Sequence, residues 1–201
     1  EGWQTLLVTA DGGEITVRLD GTEVLKYTDS DPLGRGYIGL EFAGDPVAFR
    51  NIKLRPLKTQ SLFSGKDLAG WVTYPDLASV VTVTDQGEMR IQNGKGQIET
   101  EGKYADFVLQ IEAFVNGENL NSGVFFRCIP GESMNGYESQ INNAMKDGDP
   151  AKPGDCGTGG IFRRQDARKI VAKDFEWLSK TIHACGNHVA VWVNGIQVTD
   201  W

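Results

Sequence analysis

Val189-Ala-Val-Trp-Val-Asn-Gly-Ile-Gln-Val198 sets apolar residues at 189, 191 and 193, then turns at Asn194-Gly195. Strict alternation puts one apolar row on one face of a strand. Asn-Gly supplies the positive φ that a two-residue hairpin turn needs at both central positions. Ile15-Thr-Val-Arg-Leu-Asp-Gly-Thr-Glu-Val24 carries the same pattern, turning at Asp20-Gly21. A shift of 174 residues superposes the two without a gap and aligns Trp3 with Trp177, Ala10 with Ala184, Gly12 with Gly186, Val17 with Val191, Gly21 with Gly195 and Val24 with Val198. The economical reading is a tandem array. Residues 1–57 are then the closing strands of one copy, and residues 58–201 the head and centre of the next. Arg55-Pro56-Leu57-Lys58-Thr59-Gln60 is the boundary. Residues 3–25 and 177–199 want the same place, so one sandwich is expected, built from residues 1–174 in permuted order with the second hairpin displaced, or the reverse.

The rest of the chain reads as strands too. Gly36–Ala43 alternates, and Val47–Leu54 alternates with one parity slip, which predicts a bulge near Arg50-Asn51. Beyond the boundary come Val80–Val83, Glu88–Gln92, Phe107–Phe114, Gly123–Cys128 and Tyr137–Ile141. Residues 142–159 are polar and rich in Gly, Pro and Asp, and predict a long loop of the functional or mobile kind. No stretch holds a 3.6-residue period, so Arg164–Phe175 forms a turn or two of helix at most. Many short strands with turn signals between them predict an all-β, antiparallel β-sandwich.

Composition narrows the function. The 201 residues include 25 Gly and carry a net charge of −7. The glycines lack the three-residue period of collagen, and 5 Trp, 9 Phe and 5 Tyr are enough to build a core rather than leave a disordered chain. No run of about 18 apolar residues exists to span a membrane as a helix. Basic residues are neither in excess nor clustered beyond Arg163-Arg164, which argues against nucleic acid. Two histidines, His183 and His188, cannot make a histidine cluster, and three cysteines leave one free or paired outside the chain. The chain starts at Glu1 without Met and stops at Trp201 inside a strand pattern; it reads as a fragment, so targeting signals are not legible.

Along Gly136–Asn142, alternation sets Glu138, Gln140 and Asn142 on one face and Tyr137, Ser139 and Ile141 on the other. Three polar side chains in a row on a mid-domain strand fit a ligand groove; an edge strand with one solvated face would show the same row. Amides donate to and accept from hydroxyls, and a carboxylate can serve as acid or base. Arg127 shares a strand face with Gly123 and Phe125 and could pair with Glu138, keeping it ionised and bringing a cation near a developing oxyanion. Arg163 or Arg164 could reach the same place, although solvated arginines are the plainer reading. Trp192 points away from Val191 and Val193 and is the best aromatic for stacking on a sugar, whereas Trp177 and Trp3 read as core. Asp147, Asp149 and Asp155 are calcium-type ligands but lack the rest of an EF-hand loop, so a solvated acidic loop is the reading. His183 aligns with Thr9 and reads as structural; His188 reads as exposed.

Several blocks together are specific. Ser61-Leu-Phe-Ser-Gly-Lys-Asp-Leu-Ala-Gly-Trp71, Asn121-Ser-Gly-Val-Phe-Phe-Arg127, Gly136-Tyr-Glu-Ser-Gln-Ile-Asn142 and Gly157-Thr-Gly-Gly-Ile-Phe162 resemble the opening and central strands of the 3-keto-disaccharide hydrolase domain family. Gly36-Tyr-Ile-Gly-Leu40 and Val47-Ala-Phe-Arg-Asn-Ile52 resemble its closing strands. The resemblance implies a concanavalin A-like jelly roll whose concave face holds sugar, in an exported, periplasmic or extracellular protein of bacterial type. In such a protein Cys128–Cys156, one of the three pairings that three cysteines allow, is the expected disulfide, tethering the long loop. The substrate implied is a sugar with a ketone at carbon 3. That ketone acidifies the hydrogen on carbon 2, so a base can form an enolate that expels the group on carbon 1, and water can add afterwards. Glu138 is the expected base, with Arg127 or Arg163 as the electrophile and a divalent metal as its possible substitute. Asn121, Gln140, Asn142 and Trp192 are the expected sugar contacts. The rival readings are a non-catalytic carbohydrate-binding module within a longer exported protein, and a purely structural adhesion repeat adjoining others.

Overall fold

The structure, a computed structural model, describes residues 2–34, 36–44 and 46–201. It divides into two compact units, Glu1–Thr59 and Gln60–Trp201. In the first, β1 (Leu6–Asp11), β2 (Glu14–Leu19) and β3 (Thr22–Thr28) form an antiparallel meander in that order. The Asp20-Gly21 turn has φ of 47° and 85°, the positive values expected of the hairpin. Residues 36–44 and 46–57 form no strand, so the two strands predicted for Gly36–Ala43 and Val47–Leu54 are corrected. Alternation gives a segment strand character, but a strand also needs a ladder partner, and none of the described residues pairs with these. Their apolar side chains stay in water, with Tyr37, Ile38 and Leu54 all exposed. The parity slip falls on Asn51, whose φ is 53°.

The second unit holds ten strands: β4 (Trp71–Thr73), β5 (Val80–Val83), β6 (Met89–Gln92), β7 (Ile98–Thr100), β8 (Phe107–Phe114), β9 (Ser122–Phe126), β10 (Tyr137–Ile141), β11 (Trp177–Cys185), β12 (His188–Val193) and β13 (Ile196–Asp200). Every pairing is antiparallel. The largest sheet runs β13-β12-β11-β8, and β9 pairs with β10. It is the hairpin of residues 177–193 that takes the place beside β8, with Trp177 opposite Phe114 and Ala184 opposite Phe107. Residues 164–175 form turns and no helix.

The architecture is an antiparallel jelly-roll sandwich. Leu178, Ile182, Ala184, Val189, Val191 and Val193 face inward from the four-stranded sheet, and Phe126, Ile141 and Ile161 meet them from the other layer. Two-residue periodicity does this: β11 buries its even positions and leaves Trp177, Ser179 and Thr181 on the outer face. Trp177 is therefore not a core residue. It is 53% exposed and packs on Phe114 at 5.5 Å between ring centroids. Trp3, half-exposed as well, carries the Arg50 guanidinium 3.9 Å above its ring.

The Gly157-Thr-Gly-Gly160 run brings the long loop back along β10. Thr158 N donates to Asn142 O at 2.9 Å, Gly159 N to Gln140 O at 2.8 Å and Phe162 N to Glu138 O at 2.9 Å. Gln140 N returns a bond to Gly160 O at 2.9 Å. β10 thus has partners on both edges, which makes it an interior strand rather than an edge strand. Glycine is required here by close approach: a Cβ on Gly159 would stand 2.9 Å from Val193 Cγ2 and nearer still to Val198, at a φ of 93°.

Candidate functional site

β10 puts Tyr137 and Ile141 into the core and Glu138 on the opposite face. Register then sets the neighbours of Glu138. Phe125 of β9 lies directly opposite it. On the other edge, the Ser139–Ile161 bridge and the Phe162 N–H to Glu138 O bond bring Phe162 beside it. In register, Glu138 therefore lies between two half-buried aromatic residues, Phe125 on β9 and Phe162 on the returning loop. Its side chain leans over Gly123, where an added Cβ would sit 2.9 Å from Glu138 Cδ. Gly123→Ala should leave the fold standing, because no positive φ is needed there, while displacing the carboxylate. If Glu138 is the base, turnover should fall by about 10²-fold, the scale of a 1 Å misplacement, with the thermal midpoint nearly unchanged.

Beneath the strand lies a residue that the sequence reading passed over. Lys180 is on the inward face of β11 and only 1% exposed. Its Nζ donates to Ser139 O at 3.0 Å and Gln140 O at 2.7 Å, the two carbonyls that follow Glu138. Burial pushes its pKa down to about 7, and the negative charge of Glu138 works against that fall. Glu138 responds in the opposite sense: burial and the nearby Asp155 raise it above the usual carboxylate range, and Lys180 pulls it back. Asp155 sits in the loop over β10, where its carboxylate accepts a long 3.4 Å bond from Gln140 Nε2. Lys180 could have been found from the inward row Leu178, Lys180, Ile182, Ala184, in which it is the only charge.

The other predicted residues disperse. Arg127 does not pair with Glu138. Its φ is 52°, which ends β9 and turns the side chain to Ala105 O at 2.9 and 3.0 Å and to Asp106 at 3.4 Å. Arg163 is exposed, its guanidinium 5.2 Å from the ring centre of Phe162. Gln140 is 1% exposed and Asn142 is 6% exposed. Gln140 accepts from Ile141 N at 3.0 Å and Asn142 accepts from Ala144 N at 2.9 Å, so both amides are engaged within the protein. Asn121 precedes β9 and is exposed. Trp192 lies opposite Thr181 on the outer face of the four-stranded sheet, with the core between it and Glu138. Its parity was legible; the sheet that carries it was not. His188 Nε2 lies 2.5 Å from Asp200 Oδ1.

Cys128 and Cys156 are free thiols, which corrects the expected disulfide. Cys156 is turned inward, donating to Gln165 O at 3.5 Å, and burial, with Asp166 and Asp155 near it, pushes its pKa up to about 12. Among the described residues no three His, Cys, Asp or Glu side chains converge to hold a metal ion, so the metal substitute for the arginine has no ligand set there. Asp149 instead accepts from Ala151 N at 2.9 Å and pairs with Lys152 at 3.5 Å.

Lys180 and Cys156 give stability a pH dependence. With a folded midpoint of about 7 against about 10.4 when unfolded, Lys180 has already lost its proton where the unfolded chain still holds it. Stability therefore rises with pH through that window. The Cys156 thiol, held protonated up to about 12, opposes this once unfolded thiols ionise above about pH 8.5. Urea denaturation should show stability rising by about 1–2 kcal/mol between pH 7 and 8.5, a rise absent in Lys180→Met.

The profile of the 3-keto-alpha-glucoside-1,2-lyase-like domain matches residues 1–55 and 58–201. The chain belongs to that family. Among solved structures it is similar to a "putative glycosyl hydrolase" from Parabacteroides distasonis, at 22% identity and a TM-score of 0.55, with 70% of each chain covered. A second protein of that description and organism is similar at 24% identity and a TM-score of 0.43, covering 66% of this chain and 59% of the other. No curated protein matches. The first of these structures shares the fold, and the 3-keto-alpha-glucoside-1,2-lyase-like assignment makes the domain a carbohydrate-active type. No helix among the described residues is long and apolar enough to cross a membrane.

Proposed function

We propose that residues 60–201 act on 3-keto glycosides by base-assisted elimination, with Glu138 as the base. The observation that carries this reading is the half-buried carboxyl of Glu138, raised in pKa and set between Phe125 and Phe162. A general base works best with a pKa brought toward the operating pH, and burial does that here. Aromatic rings on either side give the CH faces of a pyranose somewhere to pack.

The electrons balance within the substrate. Glu138 takes the proton on carbon 2, and the C–H pair forms the enolate with carbon 3. Collapse of the enolate restores the ketone, forms the double bond between carbons 1 and 2, and expels the oxygen on carbon 1. The carboxylic acid then returns its proton to that leaving oxygen. Arg163 is the cation assigned to the enolate oxygen, since Arg127 is held by Ala105 and Asp106. Asn121 is the exposed amide left to bind hydroxyls. Water addition to the unsaturated product would complete hydrolysis. Export to the periplasm or exterior belongs to the same reading and rests on the family's resemblance alone.

The experiment is incubation of the purified chain with 3-keto glycosides and the matching unoxidised glycosides, with and without chelator. Release of the aglycone from the 3-keto series alone supports the reading. Binding of glycans without any cleavage would overturn it in favour of a carbohydrate-binding module.

A further inference from the structure

We infer that Lys180 is the positioning residue of this site: from inside the core it grips the β10 backbone just beyond Glu138 and supplies the buried positive charge that the Glu138 carboxylate answers. The inference deepens the proposed reaction and rests on Glu138 being its base.

The geometry is unusual for a structural lysine. A buried ammonium is expensive unless it is paired and hydrogen bonded. Lys180 is 1% exposed and is held by two main-chain carbonyls, Ser139 O at 3.0 Å and Gln140 O at 2.7 Å. Neither is a counter-charge. The charges that face it come from β10 and the loop across it: Glu138, with Asp155 beyond it, and Cys156 with Asp166 beside it. β9 contributes none, since its residues are Ser122, Gly123, Val124, Phe125 and Phe126. The negative charge of Glu138 works against the effect of burial on Lys180. Folding does not call for a cation in this slot either. The neighbours in its inward row, Leu178 and Ile182, are apolar.

Two consequences follow for the base. The grip on consecutive carbonyls fixes β10 where Glu138 leaves it, so the carboxylate cannot drift from Gly123. The positive charge offsets part of the upward push that burial and Asp155 give Glu138, and so favours the ionised carboxylate that can accept the proton on carbon 2.

The test uses the full chain labelled with 13C-glutamate, the Glu138 carboxyl signal being identified by its loss in Glu138→Gln. In Lys180→Met the Glu138 midpoint should move up by about one pH unit, a tenfold change in proton affinity. The acid limb of kcat/KM on a 3-keto glycoside should move with it, so that activity lost at pH 6 returns at higher pH. Should Lys180→Met fail to fold, the reciprocal measurement serves: in Glu138→Gln the Lys180 ammonium midpoint, read by 15N, should fall by the same amount. An unmoved midpoint in either variant, with activity lowered equally at every pH, overturns the inference and makes Lys180 a structural lysine. Midpoints that shift in a protein that cleaves no 3-keto glycoside support the coupling and remove the proposed reaction instead.

Discussion

Glu138→Gln should abolish turnover of 3-keto glycosides, lowering kcat by about 10²–10⁴-fold, the range spanned by general-base catalysis. Glutamine keeps the shape of the side chain over Gly123 and the polar head between Phe125 and Phe162, so ground-state binding should survive. It cannot take a proton. The variant should therefore show KM within a few-fold of the parent, a loss carried almost wholly by kcat, and no alkaline recovery. Steady-state kinetics on an aryl 3-keto glycoside would decide this. Activity retained within tenfold would move the base elsewhere, with Asp155 the next carboxylate to test.

Gly159→Ala should be strongly destabilising to the second unit. Two costs coincide. The backbone sits at φ 93°, where L side chains are strained, and the new Cβ drives into Val193 and Val198, both wholly buried. Overpacking and the φ violation together should cost about 3 kcal/mol or more. Gly148→Ala separates the two effects, because Gly148 has φ 69° but nothing within 4 Å of its would-be Cβ. Its cost should stay near 1 kcal/mol. Equal losses in the two variants, measured by urea denaturation, would show that β10 does not depend on the close packing of the glycine run.

Much of the architecture was open to reading because two-residue periodicity is a local signal. Phe107–Phe114 and Tyr137–Ile141 begin and end as their alternation says, and parity alone placed Glu138 opposite Tyr137 and Ile141. The signal failed where position depends on a partner. Gly36–Ala43 alternates as well as any strand here, yet no ladder forms there. Arg127 continues the Gly123–Phe125 face on paper, but one positive φ takes it to Ala105 and Asp106. Trp192 has the expected parity and sits across the core from the carboxylate it was expected to accompany. Lys180 escaped notice because a lone lysine between Leu178 and Ile182 looks like a solvated charge until the tertiary fold covers it.

That concealment makes Lys180 a natural reporter. Acylating reagents that mark the accessible amines of the native protein should pass it by, since its amine is sealed under β10. Modification at this position would occur only when the two layers part. Mass spectrometry of Lys180 over time would then clock how often the sandwich breathes open, without any probe being attached to it.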